Sequence, residues 1–124
     1  MSERKILYVE DNEYNRKIVR QLLSRSSCRL IEAADGEAGV AIAQSELPDL
    51  ILMDVQLPKM SGLDATRRLK ADASTSSIPI IVITSYALSG DREKAMGAGA
   101  SSYLAKPYSP SELLAMVKQF LPDL

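Results

Sequence analysis

Three runs in this chain are apolar at every position: Ile6-Leu7-Tyr8-Val9, Leu50-Ile51-Leu52-Met53 and Ile80-Ile81-Val82-Ile83. A strand with one wet face alternates apolar and polar residues, whereas a strand without alternation is buried on both faces. Two weaker runs, Leu30-Ile31 and Tyr103-Leu104-Ala105, keep the same rhythm. Burial on both faces requires cover on both faces, and the intervening stretches supply it. Ile18, Val19, Leu22 and Leu23 recur at helical spacing. Asp35-Gly36 precedes a helix over 37–46, stopped by Pro48. Ser61 and Asp64 resemble a capping box opening a helix through Leu69. Ser89 caps a fourth, with Asp91 and Glu93 favourable in its first turn and Gly97 and Gly99 at its end. Ser109-Pro110-Ser111-Glu112 combines cap, N1 proline and N3 glutamate, and its helix runs to about residue 121.

Five βα units follow. Right-handed crossovers place helices on both sides of one parallel sheet. The expected fold is α/β: a flavodoxin-like, doubly wound five-stranded sheet of order 2-1-3-4-5 with five helices. With 124 residues, one domain over 1–124 is expected, with about two-thirds of its surface buried. No apolar run approaches the roughly 20 residues of a membrane span. The N-terminal Met1-Ser2-Glu3-Arg4-Lys5 leads into only four apolar residues, so no signal peptide is expected.

The composition excludes several functions. Fifteen basic and 16 acidic residues leave a net charge of −1, a poor footprint for nucleic acid. The single Cys28 precludes an internal disulfide and suits a reducing, cytoplasmic setting. With no histidine, Ser-His-Asp and Cys-His catalysis and His-ligated zinc are excluded. Nor can the chain carry a phosphohistidine itself.

In doubly wound sheets ligands bind beyond the carboxyl ends of the strands. The expected ends are Glu10-Asp11, Asp54, Thr84 and Lys106-Pro107, on strands that adjoin in the expected order. Three carboxylates, a hydroxyl and an ammonium thus share one rim. Two carboxylates about 4 Å apart repel by roughly 4 kcal/mol at an effective dielectric of about 20. Lys106 offsets one charge, and a hard divalent cation such as Mg²⁺ offsets more. Other ligands of this architecture fit poorly. Glu10-Asp11-Asn12-Glu13 repels a flavin phosphate, and neither GxxxxGK[ST] nor GxGxxG occurs. A two-aspartate phosphatase would carry a second Asp at position 56, where Gln56 stands.

With these residues in place, the sequence resembles the receiver domain of two-component response regulators, of the single-domain chemotaxis-regulator type. The carriers are Val9-Glu10-Asp11-Asn12, the stretch from Leu52-Met53-Asp54 through Gln56 to Gly62, Ile83-Thr84-Ser85 and Tyr103-Leu104-Ala105-Lys106-Pro107. The resemblance implies the following roles. Asp54 is the phosphoacceptor. Asp11, Asp54 and the Gln56 carbonyl coordinate Mg²⁺, with Glu10 assisting through a water where many members have Asp. Thr84 and Lys106 hold phosphoryl oxygens, and the bond to Pro107 is cis. Thr84 and Tyr103 form the switch, while Gln56 and Tyr86 tune the phosphoryl lifetime. A kinase docks over Tyr14, Asn15, Ile18, Pro107 and Tyr108.

The implied function is a phosphorylation switch. It takes a phosphoryl group from a histidine kinase or phosphotransfer protein and signals by partner binding or phosphorelay, as a monomer or homodimer. It catalyses its own phosphorylation and dephosphorylation without being a conventional turnover enzyme. No output domain is expected after Leu124. The alternatives are a phosphorylation-independent interaction module, or a receiver cut from a DNA-binding regulator or hybrid kinase.

Overall fold

The computed structural model describes residues 3–85 and 91–124. Five parallel strands form one sheet in the order β2-β1-β3-β4-β5. The strands are β1 (Arg4–Val9), β2 (Cys28–Ala33), β3 (Leu50–Asp54), β4 (Ile80–Thr84) and β5 (Ser102–Ala105). Five helices alternate with them: α1 (Glu13–Leu23), α2 (Gly36–Glu46), α3 (Gly62–Ala71), α4 (Asp91–Gly97) and α5 (Pro110–Phe120). The order is the expected one.

The period-2 alternation of side chains sorts the sheet into two apolar faces. Ile6, Tyr8, Leu50, Leu52, Ile81 and Ile83 pack with Val19 and Leu23 of α1 and Leu113 and Val117 of α5. Leu7, Val9, Ile51, Met53, Ile80 and Val82 pack with α2, α3 and α4. Strands β3 and β4 are buried at every position, which is why their sequences do not alternate. Strand β2 is longer than the Leu30-Ile31 run because it lies at the sheet edge. There Arg29 is exposed, and Glu32 bonds Arg20 of α1 at 2.7 and 2.8 Å.

Helix starts are fixed by side-chain caps that satisfy otherwise unpaired backbone N–H groups. Asn12, Asp35, Ser61 and Ser109 accept from the N–H groups of Asn15, Ala38, Asp64 and Glu112. At Ser109 the box is complete, since Glu112 Oε1 accepts from the Ser109 N–H at 3.0 Å. At Ser61 only half of the expected box is seen. Asp64 is one methylene shorter than glutamate, and its carboxylate pairs with Arg67 at 2.7 Å instead. Ser89, expected as the cap of α4, lies outside the described residues.

Gly62 ties α3 to the end of β3. Its N–H donates to the Val55 carbonyl at 2.9 Å, and a Cβ there would lie 1.8 Å from the Asp54 carbonyl oxygen. Gly62→Ala is therefore expected to destabilise the fold by roughly 1–3 kcal/mol through overpacking against backbone. Gly97 ends α4 with open space where a Cβ would stand, so Gly97→Ala is expected to be neutral or stabilising by up to about 1 kcal/mol. Urea denaturation of the two variants checks both signs.

Candidate functional site

The alternation that divides the core also aims the site. Glu10, Asp54 and Lys106 continue the positions of Tyr8, Leu52 and Leu104, so they share the α1/α5 face at the carboxyl ends of β1, β3 and β5. Thr84 follows Ile83 and falls on the opposite face, with Tyr103, which packs half-buried against the α2–α4 core.

Lys106 joins the carboxylates. Its Nζ donates to Asp54 Oδ2 at 2.7 Å and to Glu10 Oε1 at 3.0 Å. Asp54 Oδ1 accepts from the Gln56 N–H at 2.9 Å. Glu10 and Asp54 are both buried, and Thr84 with them. Two buried carboxylates sharing one ammonium titrate as a pair. Burial first, then the adjoining Glu10, pushes Asp54 up to about 6, against the pull of Lys106 and the Gln56 N–H. Burial would raise Glu10 too, but its hydrogen bonds with Asp54 and Lys106 hold it at about 2. Burial would lower the Lys106 ammonium, and the two carboxylates reverse this and raise it.

Asp11 is exposed beside Glu10, and its carboxyl is raised by partial burial and then by Glu10. The described residues contain no group of three or more His, Cys, Asp or Glu side chains gathered as a ready metal cage. The donors present are hard oxygens carrying more negative charge than Lys106 neutralises. That set fits a cation that keeps several of its own waters, as Mg²⁺ does.

Around this centre the expected residues divide. Gln56 and Ser85 are exposed at the rim, and the Lys106–Pro107 peptide is cis. Tyr86 lies outside the described residues. A groove of about 450 Å³ reaches Lys106 and is lined by Asn15, Ile18, Ser85, Lys106, Pro107 and Tyr108. Tyr14 and Ile18 are exposed as a docking surface would need. Asn15 lines the groove, and its amide is also engaged on Glu10 Oε1 at 3.1 Å. Tyr8, read from sequence only as part of a strand, also reaches that oxygen. A hydroxyl inside an otherwise apolar run was the available signal.

Residues 6–118 match the response regulator receiver domain family. The chain belongs to that family. Among receiver-domain relatives, the polar-differentiation response regulator DivK of Brucella anthropi is 39% identical over 118 residues, covering 95% of this chain and 96% of that one. The receiver domain of a Pseudomonas aeruginosa sensor histidine kinase, solved with a magnesium ion coordinated in its active site cleft, is 37% identical. That alignment covers 98% of this chain and 99% of that one, with a TM-score of 0.89. The Vibrio cholerae chemotaxis response regulator CheY4 superposes with a TM-score of 0.89 at 27% identity, over 96% of this receiver and 99% of its own chain. Among the described residues no helix is long and apolar enough to cross a membrane.

The electrostatics predict a titration. In metal-free protein the Asp54 carboxyl carbon is expected to titrate at about 6, followed by NMR in the presence of chelator. Glu10→Gln is expected to lower that midpoint without restoring the ordinary 3.8, since burial is the larger cause. A raised carboxyl favours the fold in its protonated form. That share of stability is present below the ordinary value and is lost as pH rises through about 6.

Proposed function

We propose that this chain, as one domain over 1–124, is a phosphorylation-activated receiver. Asp54 accepts a phosphoryl group from the phosphohistidine of a histidine kinase or phosphotransfer protein, with Mg²⁺ as cofactor. The observation that carries this reading is the setting of the Asp54 carboxylate. It is buried at the end of β3, held at one oxygen by the Gln56 N–H and at the other by Lys106, beside a groove open to a partner.

The chemistry follows from those positions. A carboxylate oxygen of Asp54 attacks phosphorus in line with the leaving nitrogen. A P–O bond forms as the P–N bond breaks, and its electron pair stays on the imidazole, which takes a proton from solvent. Asp11, Asp54 and the Gln56 carbonyl would hold Mg²⁺, with Glu10 assisting through a water, and the ion would supply positive charge for the phosphoryl oxygens. Lys106 turns its ammonium from Asp54 to one of those oxygens, and Thr84 donates its hydroxyl to another. Hydrolysis of the acyl phosphate by water resets Asp54, at a rate that Gln56 and Tyr86 tune. The chain works in the cytoplasm and signals by partner binding or by passing the phosphoryl group on. The relatives support this reading: one is named a response regulator, and a solved neighbour belongs to a sensor kinase and holds magnesium.

The test is phosphorylation with acetyl phosphate, read as a mass gain of one phosphoryl group. Labelling is expected with Mg²⁺ and is expected to vanish in excess chelator and in Asp54→Asn. Lys106→Met is expected to slow it roughly 100-fold. Undiminished labelling under chelation or in Asp54→Asn overturns the reading.

The switch has its own test. The phosphoryl group brings up to two negative charges and strong acceptors to the rim. A hydrogen bond to it from Thr84 is the differential contact that shifts the population toward the active state. Thr84→Val keeps the shape and removes the hydroxyl. It is expected to accept phosphate yet to lose the amide-shift changes around Tyr103 that accompany activation of the wild type. An unchanged shift pattern rules out the coupling.

A further inference from the structure

The Glu10 side chain is buried, and three donors converge on one of its oxygens. Oε1 accepts from Lys106 Nζ at 3.0 Å, from Asn15 Nδ2 at 3.1 Å and from the Tyr8 hydroxyl at 3.3 Å. Oε2 accepts from the Asn12 N–H at 3.3 Å. The main chain is held as well, since Arg16 Nη1 donates to the Glu10 carbonyl at 2.7 Å.

Tyr8 and Asn15 come from different elements. Tyr8 stands two residues before Glu10 on the same face of β1, fully buried among the residues that pack against α1 and α5. A phenylalanine would fill that space without bringing a hydroxyl into the core, where an unpaired one is costly. The Tyr8 hydroxyl is paired with the site carboxylate, and it also meets the hydroxyl of Tyr108. Asn15 reaches the same oxygen from the first turns of α1, one residue before the arginine that grips the Glu10 carbonyl.

We propose that Tyr8 and Asn15 are positioning residues for Glu10, holding its carboxylate against Lys106 and Asp54 at the end of the sheet where the cation binds. Asn15 thus faces two ways, lining the groove and acting inward on Glu10. The length of Glu10 is part of the device. With the main chain fixed by β1 and Arg16, an aspartate is one methylene short of the Tyr8 hydroxyl and the Asn15 amide. The proposal rests on the Mg²⁺ reading above for its functional half, and on the hydrogen bonds alone for its structural half.

Each half has its own measurement. Tyr8→Phe and Asn15→Ala are made in the wild type and in Glu10→Asp, and Mg²⁺ affinity is measured by calorimetry on the unphosphorylated protein. Loss of an outer partner of a direct metal ligand typically costs tenfold or more, and Glu10 reaches the ion through a water, so each single variant is expected to weaken Mg²⁺ by less, about fivefold. In the Glu10→Asp background the same changes are expected to add less than about twofold, because the carboxylate they hold is out of reach. In metal-free protein the Asn15 side-chain amide signals are expected to shift and to exchange faster with water in Glu10→Asp. Full, additive losses in the Glu10→Asp background overturn the positioning role, and so do unchanged affinities in both single variants. Unchanged Asn15 amide signals overturn the hold itself. A wild type that binds no Mg²⁺ overturns the metal reading and the functional half with it, while the amide signals still decide whether Glu10 is held. Should Tyr8→Phe fail to fold, Asn15→Ala on the half-exposed helix surface decides the affinity arm.

Discussion

One ammonium makes the centre of this molecule possible. Lys106 lies 52 positions from Asp54 and 96 from Glu10, and it bonds both. Without it the sheet would end in two buried, facing carboxylates, and one would take a proton to relieve the repulsion. The pair already leans that way, with Asp54 raised and Glu10 lowered. The strand order serves this contact. Parallel pairing of β1 with β3, β3 with β4 and β4 with β5 brings all the carboxyl ends to one side, where three distant parts of the chain meet.

The same geometry sorts the rim residues onto two faces. Glu10, Asp54 and Lys106 project from the α1/α5 face, while Thr84 and Tyr103 belong to the face covered by α2, α3 and α4. The sheet is a packed wall between them, buried at every position of β3 and β4. The two faces meet at the strand ends, where Thr84 closes β4.

The fold was legible in the sequence where burial was complete. Runs such as Ile80-Ile81-Val82-Ile83 have one physical explanation, and the residues that end those runs are the residues at the rim. Legibility failed where partners come from elsewhere in space. Strand β2 reads short because an edge strand mixes apolar residues with Arg29 and Glu32, which answer to solvent and to α1. The grip of Tyr8 and Asn15 on Glu10 was hidden for the same reason, since it depends on how α1 seats against β1. Asp64 looked like half of a capping box, but one missing methylene and a nearby Arg67 decided otherwise. Tyr86 and Ser89, both singled out in the sequence, lie outside the described residues.

An open parallel sheet has two flanks, and each exposes a ladder of backbone donors and acceptors that another extended chain could continue. The two flanks here are guarded by different means. Strand β2 carries Arg29 and Glu32, so a strand added beside it would have to bury charge. Strand β5 is only four residues long, with Lys106 and Pro107 directly after it, and proline has no N–H to extend the ladder. Residues that serve the site thus also close off one route to self-association. Substitutions at Lys106 or Pro107 would change the edge that a second extended chain would meet.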